Sequence, residues 1–196
     1  MKMTTVEVFR HDARMDTDED EKHNVDRTYD SPLSTAGVAH AEMVSGRPGD
    51  IIVSSPLLRC IQTAIPWLQG RPLILDARFM EVYHPEVIPL KDFKFRTDDE
   101  LPKAFYIRTA HGVPAEEQRG IGGEADDRFR AAIQEYADKA HRSGIKHVQI
   151  FTHGDAIGSF AEMLGKEVYS TEFGCSITGI YNGTWEFVSS NDVGFM

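Results

Sequence analysis

The sequence predicts an α/β fold: a three-layer sandwich in which helices cover both faces of a mostly parallel central sheet. Three observations predict it. Short apolar, β-branched runs alternate along the chain with longer segments of helical periodicity. The short runs read as buried strands, and strand–helix alternation places such strands side by side in parallel. Capping residues bracket the first long segment, with Ser34 before it and Gly46 after it.

In chain order, Val6-Glu7-Val8-Phe9 is the first strand and Ser34 to Ser45 the first helix. Asp50-Ile51-Ile52-Val53-Ser54 is the second strand. Ser55-Pro56 is expected to open the next helix, with Ser at the N-cap and Pro at the first helical position, and that helix runs to about Leu68. Leu73-Ile74-Leu75 is the third strand. Residues 83–122 carry four prolines and scattered aromatic residues and read as an irregular insertion or lid. A helix follows from Gly123 to about Arg142, then a fourth strand at His147–Thr152 and a helix from Asp155 to about Leu164. Ile177 to Val188 reads as a hairpin turning at Asn182-Gly183. The whole, 1–196, is expected to be a single domain.

Composition narrows the function. Lys+Arg 21 against Asp+Glu 31 gives a formal net charge of -10. An acidic chain is a poor wrapper of DNA or an anionic membrane, because those affinities come from clustered cations. No nucleic-acid or membrane partner is therefore expected, and without an apolar leader the expected location is the cytoplasm. Cys60 and Cys175 make neither a disulfide framework nor a zinc knuckle. A cysteine phosphatase needs Arg six residues after its Cys. Pro66 and Tyr181 stand there instead, so that class is excluded. The run Asp16-Thr17-Asp18-Glu19-Asp20-Glu21 begins like a calcium loop, but Glu21 replaces the turn Gly and Arg27 the last ligand; it reads as a solvated loop.

Ligands of open α/β sheets bind beyond the carboxyl ends of the strands. Arg10-His11-Asp12-Ala13-Arg14 follows the first strand, Arg59 lies just after the second, Asp76 and Glu81 follow the third, and His153-Gly154-Asp155 follows the fourth. Arginine forks and helix N-termini bind phosphate oxygens. A neutral histidine can attack phosphorus, and a carboxylic acid can protonate the leaving oxygen. Asp155, at a helix start, reads as a residue answering the helix dipole rather than as that acid.

Val8-Phe9-Arg10-His11, the block Ser31-Pro32-Leu33-Ser34-Thr35-Ala36-Gly37, the block from Ser54 to Ala64, and Thr152-His153-Gly154 together resemble the histidine phosphatase superfamily, the phosphoglycerate-mutase-like proteins. Arg10-His11, Arg14 and Asp16, with Asp76 to Glu81, are similar to the phosphatase domain of the ubiquitin-associated and SH3-domain phosphatases and the ecdysteroid-phosphate phosphatase. The resemblance implies metal-independent phosphomonoester hydrolysis with no cofactor. It makes His11 the nucleophile, Arg10, Arg14 and Arg59 the phosphoryl clamp, His153 a further donor to the phosphoryl oxygens, and Glu81 the proton donor. The expected partner is a phosphorylated small molecule or phosphotyrosine-type substrate; a homodimer is compatible with the sequence. Two departures stand out: Asp12 replaces the family's usual Gly, and Ala13 a frequent Glu. Asp12 keeps a non-catalytic phospholigand-binding module as an alternative, and mutase-type transfer is a second, weakened by the lack of the mutase residues after His11.

Overall fold

The structure, a computed structural model, describes residues 2–27, 29–82, 94–112, 114 and 123–196. Among them seven strands form one sheet in the order β4-β3-β2-β5-β1-β6-β7. They are β1 (Thr4–Arg10), β2 (Ile51–Ser54), β3 (Leu73–Leu75), β4 (Tyr106–Arg108), β5 (His147–Thr152), β6 (Val168–Tyr181) and β7 (Trp185–Phe195). The first five pair in parallel, and β6 and β7 extend the sheet antiparallel from β1. Four helices accompany them: α1 (Thr35–Val44), α2 (Leu58–Leu68), α3 (Gly123–Ser143) and α4 (Gly154–Met163). No helix among the described residues is long and apolar enough to cross a membrane.

Strand alternation divides the core in two. On one face Val6, Val8, Val148 and Ile150 pack with Phe129 and Ile133 of α3 and Ile157 and Phe160 of α4. On the other, Phe9, Ile52, Leu73 and Phe151 pack with Leu58, Ile61 and Leu68 of α2. Each such side chain, fully buried, contributes about 1.5–3 kcal/mol. The helices that follow the adjacent strands β2 and β5 thus lie on opposite faces, which opens a crevice at the strand ends. Register aligns those ends: Arg10 pairs with Thr152, and Ser54 with Phe151.

Three local expectations are corrected. The helix after Ser55-Pro56 begins at Leu58, not at Pro56, and its N-cap residue Leu57 has no capping side chain. The cap comes from elsewhere: the buried Asp30 carboxylate accepts the Leu58 amide hydrogen at 2.6 Å. Ser55 is left to hydrogen-bond His153 instead, Oγ to Nε2 3.0 Å. The stretch 83–122 is not wholly irregular, because Tyr106–Arg108 pairs with β3. A strand of three residues shows no periodicity of its own. The rest of the expected lid, residues 83–93, 113 and 115–122, lies outside the described residues.

The hairpin is longer than Ile177 to Val188. Its turn is at the expected place, with Asn182 Oδ1 accepting the Thr184 amide hydrogen, but β6 starts at Val168. A register shift between Thr171 and Ser176, centred on Gly174 at φ +73°, interrupts the alternation and hides the first half of the strand.

Candidate active site

His11 stands one residue beyond β1. Its amide hydrogen goes to the Thr152 carbonyl (2.9 Å), and its own carbonyl accepts from Gly174 in the β6 bulge (3.1 Å). The backbone is therefore gripped from both neighbouring strands. Nδ1 of His11 lies 2.8 Å from the Asp12 carbonyl oxygen. A carbonyl can only accept, so Nδ1 carries the proton and Nε2 the lone pair. Burial, then the positive charge of Arg59 and the neighbouring His153, hold the His11 pKa well below its ordinary value. The ring is neutral at physiological pH.

Nε2 of His11 faces the Glu81 carboxylate at 4.0 Å. The same Glu81 oxygen lies 3.2 Å from the Arg59 guanidinium and 3.0 Å from Nδ1 of His153. Arg59 and His153 are almost wholly buried, whereas Glu81 is 17% exposed. Burial alone would raise the Glu81 pKa, but His153, Arg59 and His11 outweigh it and hold the carboxyl well below its usual range. His153 falls to about 4: burial and Arg59 disfavour its charged form more than Glu81 favours it. Neutral His153 donates from Nδ1 to Glu81.

Glu81 is not a loose loop carboxylate. Asp76, fully buried, caps the turn at Ala77–Phe79 by accepting from the Arg78 amide, and binds the Arg78 side chain and the Tyr136 hydroxyl. Thr152 Oγ1 donates to the Phe79 carbonyl, and Arg128 donates to the Met80 carbonyl. Three tethers thus fix the backbone just ahead of Glu81.

Arg10 reaches the Thr171 carbonyl at 2.5 Å and lies over the Phe173 ring at 4.3 Å. With Glu81, Gly154, Asp155, Tyr169 and Thr171 it lines a cavity of about 450 Å³. Arg14 pairs with Asp16, Nε to Oδ1 3.2 Å; like His11, Arg59 and His153 it is not among the residues lining that cavity, which Glu81 joins to the buried cluster. Asp155 opens onto the same cavity as Glu81. Loss of water around it and the Glu81 charge push its pKa up to about 6. Asp12 turns to α1: one oxygen accepts from the Ala13 amide, and the other meets His40.

The donor atoms of His11, Glu81 and His153 lie within 4.8 Å of one another, a spacing a metal ion could bridge. The Arg59 guanidinium already meets the Glu81 oxygen, so the positive charge of this corner belongs to the protein, and it suits an anion. Of the residues proposed from the sequence, His11, Arg59, Glu81 and His153 converge directly, and Arg10 joins them across the cavity. Thr171, Phe173 and Gly174, delivered by the β6 bulge, and His40 beside Asp12 were not legible, since nothing in their local sequence marks them; Thr63 lay within the Ser54–Ala64 block, but its bond to the Asp12 amide was not foreseen.

The sequence matches the histidine phosphatase superfamily (branch 1) over residues 13–192. The chain belongs to that superfamily. Solved structures agree with this fold. The ecdysone phosphate phosphatase of Bombix mori, in complex with tungstate, superposes with a TM-score of 0.67 at 16% identity, covering 95% of this chain and 92% of that one. A phosphoglycerate mutase from Bacillus anthracis gives 0.65 at 17% identity, covering 96% and 92%. A phosphoserine phosphatase from Entamoeba histolytica, in complex with 3-phosphoglyceric acid, gives 0.61 at 18% identity, covering 96% of each chain. No curated protein matches the sequence. The superfamily match begins two residues after His11, so the place of Arg10-His11 in this member rests on the geometry above.

Proposed function

We propose that the protein hydrolyses phosphate monoesters through a phosphohistidine formed on Nε2 of His11. The observation that carries this reading is the His11 tautomer: the Asp12 carbonyl holds the proton on Nδ1 and leaves a neutral Nε2 lone pair beside buried donors. Arg59 and His153 would bind the phosphoryl oxygens that Glu81 now substitutes for, and Arg10 would approach from the cavity side. These preorganised donors stabilise charge as it develops on the transferring group. The cavity, about 450 Å³, suits a phosphorylated small molecule or an exposed phosphotyrosine-type side chain. The turn of Asp12 toward His40 and Ala13 supports the catalytic reading over a non-catalytic module, since its charge is spent away from Nε2.

The test is turnover of 4-nitrophenyl phosphate, with chelator present, by wild type and His11→Ala, together with acid quenching to trap a phosphoenzyme. Wild-type turnover with an acid-labile phosphoenzyme, both abolished in His11→Ala, is expected. Turnover that survives His11→Ala would overturn the reading. Interconversion of phosphoglycerates with negligible hydrolysis would replace it with mutase chemistry.

A further inference from the structure

Resting on the phosphatase reading above, we propose that Phe173 is a positioning residue of this site: its ring holds the Arg10 guanidinium ready for the phosphoryl group and away from the carboxylates that share the cavity. The guanidinium carbon of Arg10 lies 4.3 Å from the Phe173 ring centroid, and Nη1 donates to the Thr171 carbonyl at 2.5 Å. Two residues of β6 thus hold one face and one edge of the planar group. Among the described residues Thr171 is its only hydrogen-bond partner, so its other N–H groups await an acceptor. The same ring flanks the nucleophile, its centroid 5.6 Å from that of the His11 ring.

The cavity makes such support necessary. Glu81, Asp155 and Glu162 line it together with Arg10. Arg59 engages Glu81 and Arg130 engages Glu162, which leaves Asp155 as the acid able to capture Arg10. Opposite charges attract more strongly in a partly desolvated cavity than in water, yet Arg10 forms no ion pair among the described residues. An aromatic face can hold a cation without cancelling its charge. A carboxylate in the same place would compete with the phosphoryl oxygens for the same N–H groups.

The ring reaches this place through the β6 bulge. Cys175 and Ile177 belong to the core, and in an unbroken strand Phe173 would follow their alternation. The register shift between Thr171 and Ser176 breaks that alternation and re-aims the side chain. Phe173 is only partly buried and belongs to none of the apolar clusters of the core. Packing of the sheet therefore does not account for it. The next residue, Gly174, donates its amide hydrogen to the His11 carbonyl at 3.1 Å, so the segment that carries the ring is tied to the backbone of the nucleophile.

The experiment is a double-mutant cycle of Phe173→Leu and Arg10→Met, read by the KM for 4-nitrophenyl phosphate and the Kd for orthovanadate, with folding checked by near-UV circular dichroism. Phe173→Leu alone should raise both constants about two- to thirtyfold, the range of a cation–π contact. Once Arg10→Met has removed the cation, Phe173→Leu should add nothing. Phe173→Tyr keeps the π-face and should stay within about twofold of wild type. The same loss from Phe173→Leu with and without Arg10, no loss at all, or a Phe173→Tyr as weak as Phe173→Leu would overturn the assignment. Should Phe173→Leu not fold, fluorinated phenylalanines at position 173 decide, because they keep the ring's shape while fluorine drains its π-face. Orthovanadate affinity should fall stepwise with each added fluorine, and a level affinity would overturn the assignment. A wild type that binds orthovanadate but turns over no ester, with binding weakened in Phe173→Leu, overturns only the phosphatase reading. An active wild type with an additive cycle overturns only the assignment, and a wild type that neither binds nor turns over overturns both.

Discussion

Asp12 Oδ2 lies 2.5 Å from Nδ1 of His40, while Oδ1 of the same carboxylate accepts the Ala13 amide hydrogen at 2.8 Å. The residue is 4% exposed, and its amide donates to Thr63 Oγ1. The carboxylate thus ties the segment after His11 to α1 and spends its charge there. Asp12→Gly should therefore leave the inhibition constant for orthovanadate, a phosphoryl mimic, within about twofold. It should lower stability by about 1–3 kcal/mol through the lost buried hydrogen bonds, read by urea unfolding. A marked rise in orthovanadate affinity would mean that the carboxylate acts on the phosphoryl site after all.

Arg59 offers a planar fork at the end of a buried side chain, in contact with Glu81 and with the Tyr29 carbonyl. A lysine keeps the charge and loses the paired donors. Arg59→Lys should cut kcat/KM on aryl phosphate by about 10²- to 10³-fold, the usual effect of removing one oxyanion donor. Steady-state kinetics on a variant with wild-type circular dichroism checks this, and a loss below tenfold would assign the clamp elsewhere.

Acid should weaken the fold earlier than ordinary carboxylate titration alone would cause. His153 titrates at about 4 in the folded chain and His11 also well below its ordinary value, against about 6.5 when unfolded. Between those values the unfolded chain binds protons that the folded chain refuses. Their contribution is complete above about pH 6.5 and is lost as pH falls toward 4. Urea unfolding from pH 7.5 to 4.5 should show this decline, and His153→Gln should show a slope shallower by up to one proton. An unchanged slope in that variant would place the titration on other groups.

Gly37 packs its α-carbon against the Ala13 carbonyl, so closely that a Cβ would stand 2.3 Å from that oxygen. The close approach brings α1 to the segment that carries Asp12. Gly37→Ala must push the two apart, and should cost about 1–3 kcal/mol, the range seen for overpacking. It should also reduce kcat, since the displaced segment includes the carbonyl that orients His11. Thermal unfolding and aryl phosphate turnover measured on one preparation test both effects; wild-type values for both would mean that α1 moves freely from the site.

The sheet was legible wherever a strand lay buried on both faces. Ile51–Ser54, Leu73–Leu75 and His147–Thr152 are apolar runs whose bounds follow from composition alone. The site was legible for a related reason, since charged side chains immediately after such runs have one crevice to enter. What escaped depends on partners distant in sequence. Asp30 caps α2 from 28 residues away, a relation that no local pattern around Ser55-Pro56 contains. Phe173 reaches Arg10 and His11 through a bulge whose single Gly174 reads as an ordinary break in alternation. Asp155 does lie in the first turn of α4, as the helix-dipole reading expects, but the charge of Glu81, which raises its pKa, comes from a loop 74 positions earlier in the chain.

Glu81 rests on the very donors, Arg59 and His153, that a phosphoryl group must use. Under the phosphatase reading, ligand entry is then an exchange of one anion for another, and the arginine is not left bare at any stage of a turnover. A carboxylate tethered to the same domain competes at a high effective concentration that no dilution removes. Substrate must outbid it on arrival, and the same competition helps to expel inorganic phosphate once the ester is cleaved. Resistance to product inhibition would thus be built into the resting site itself.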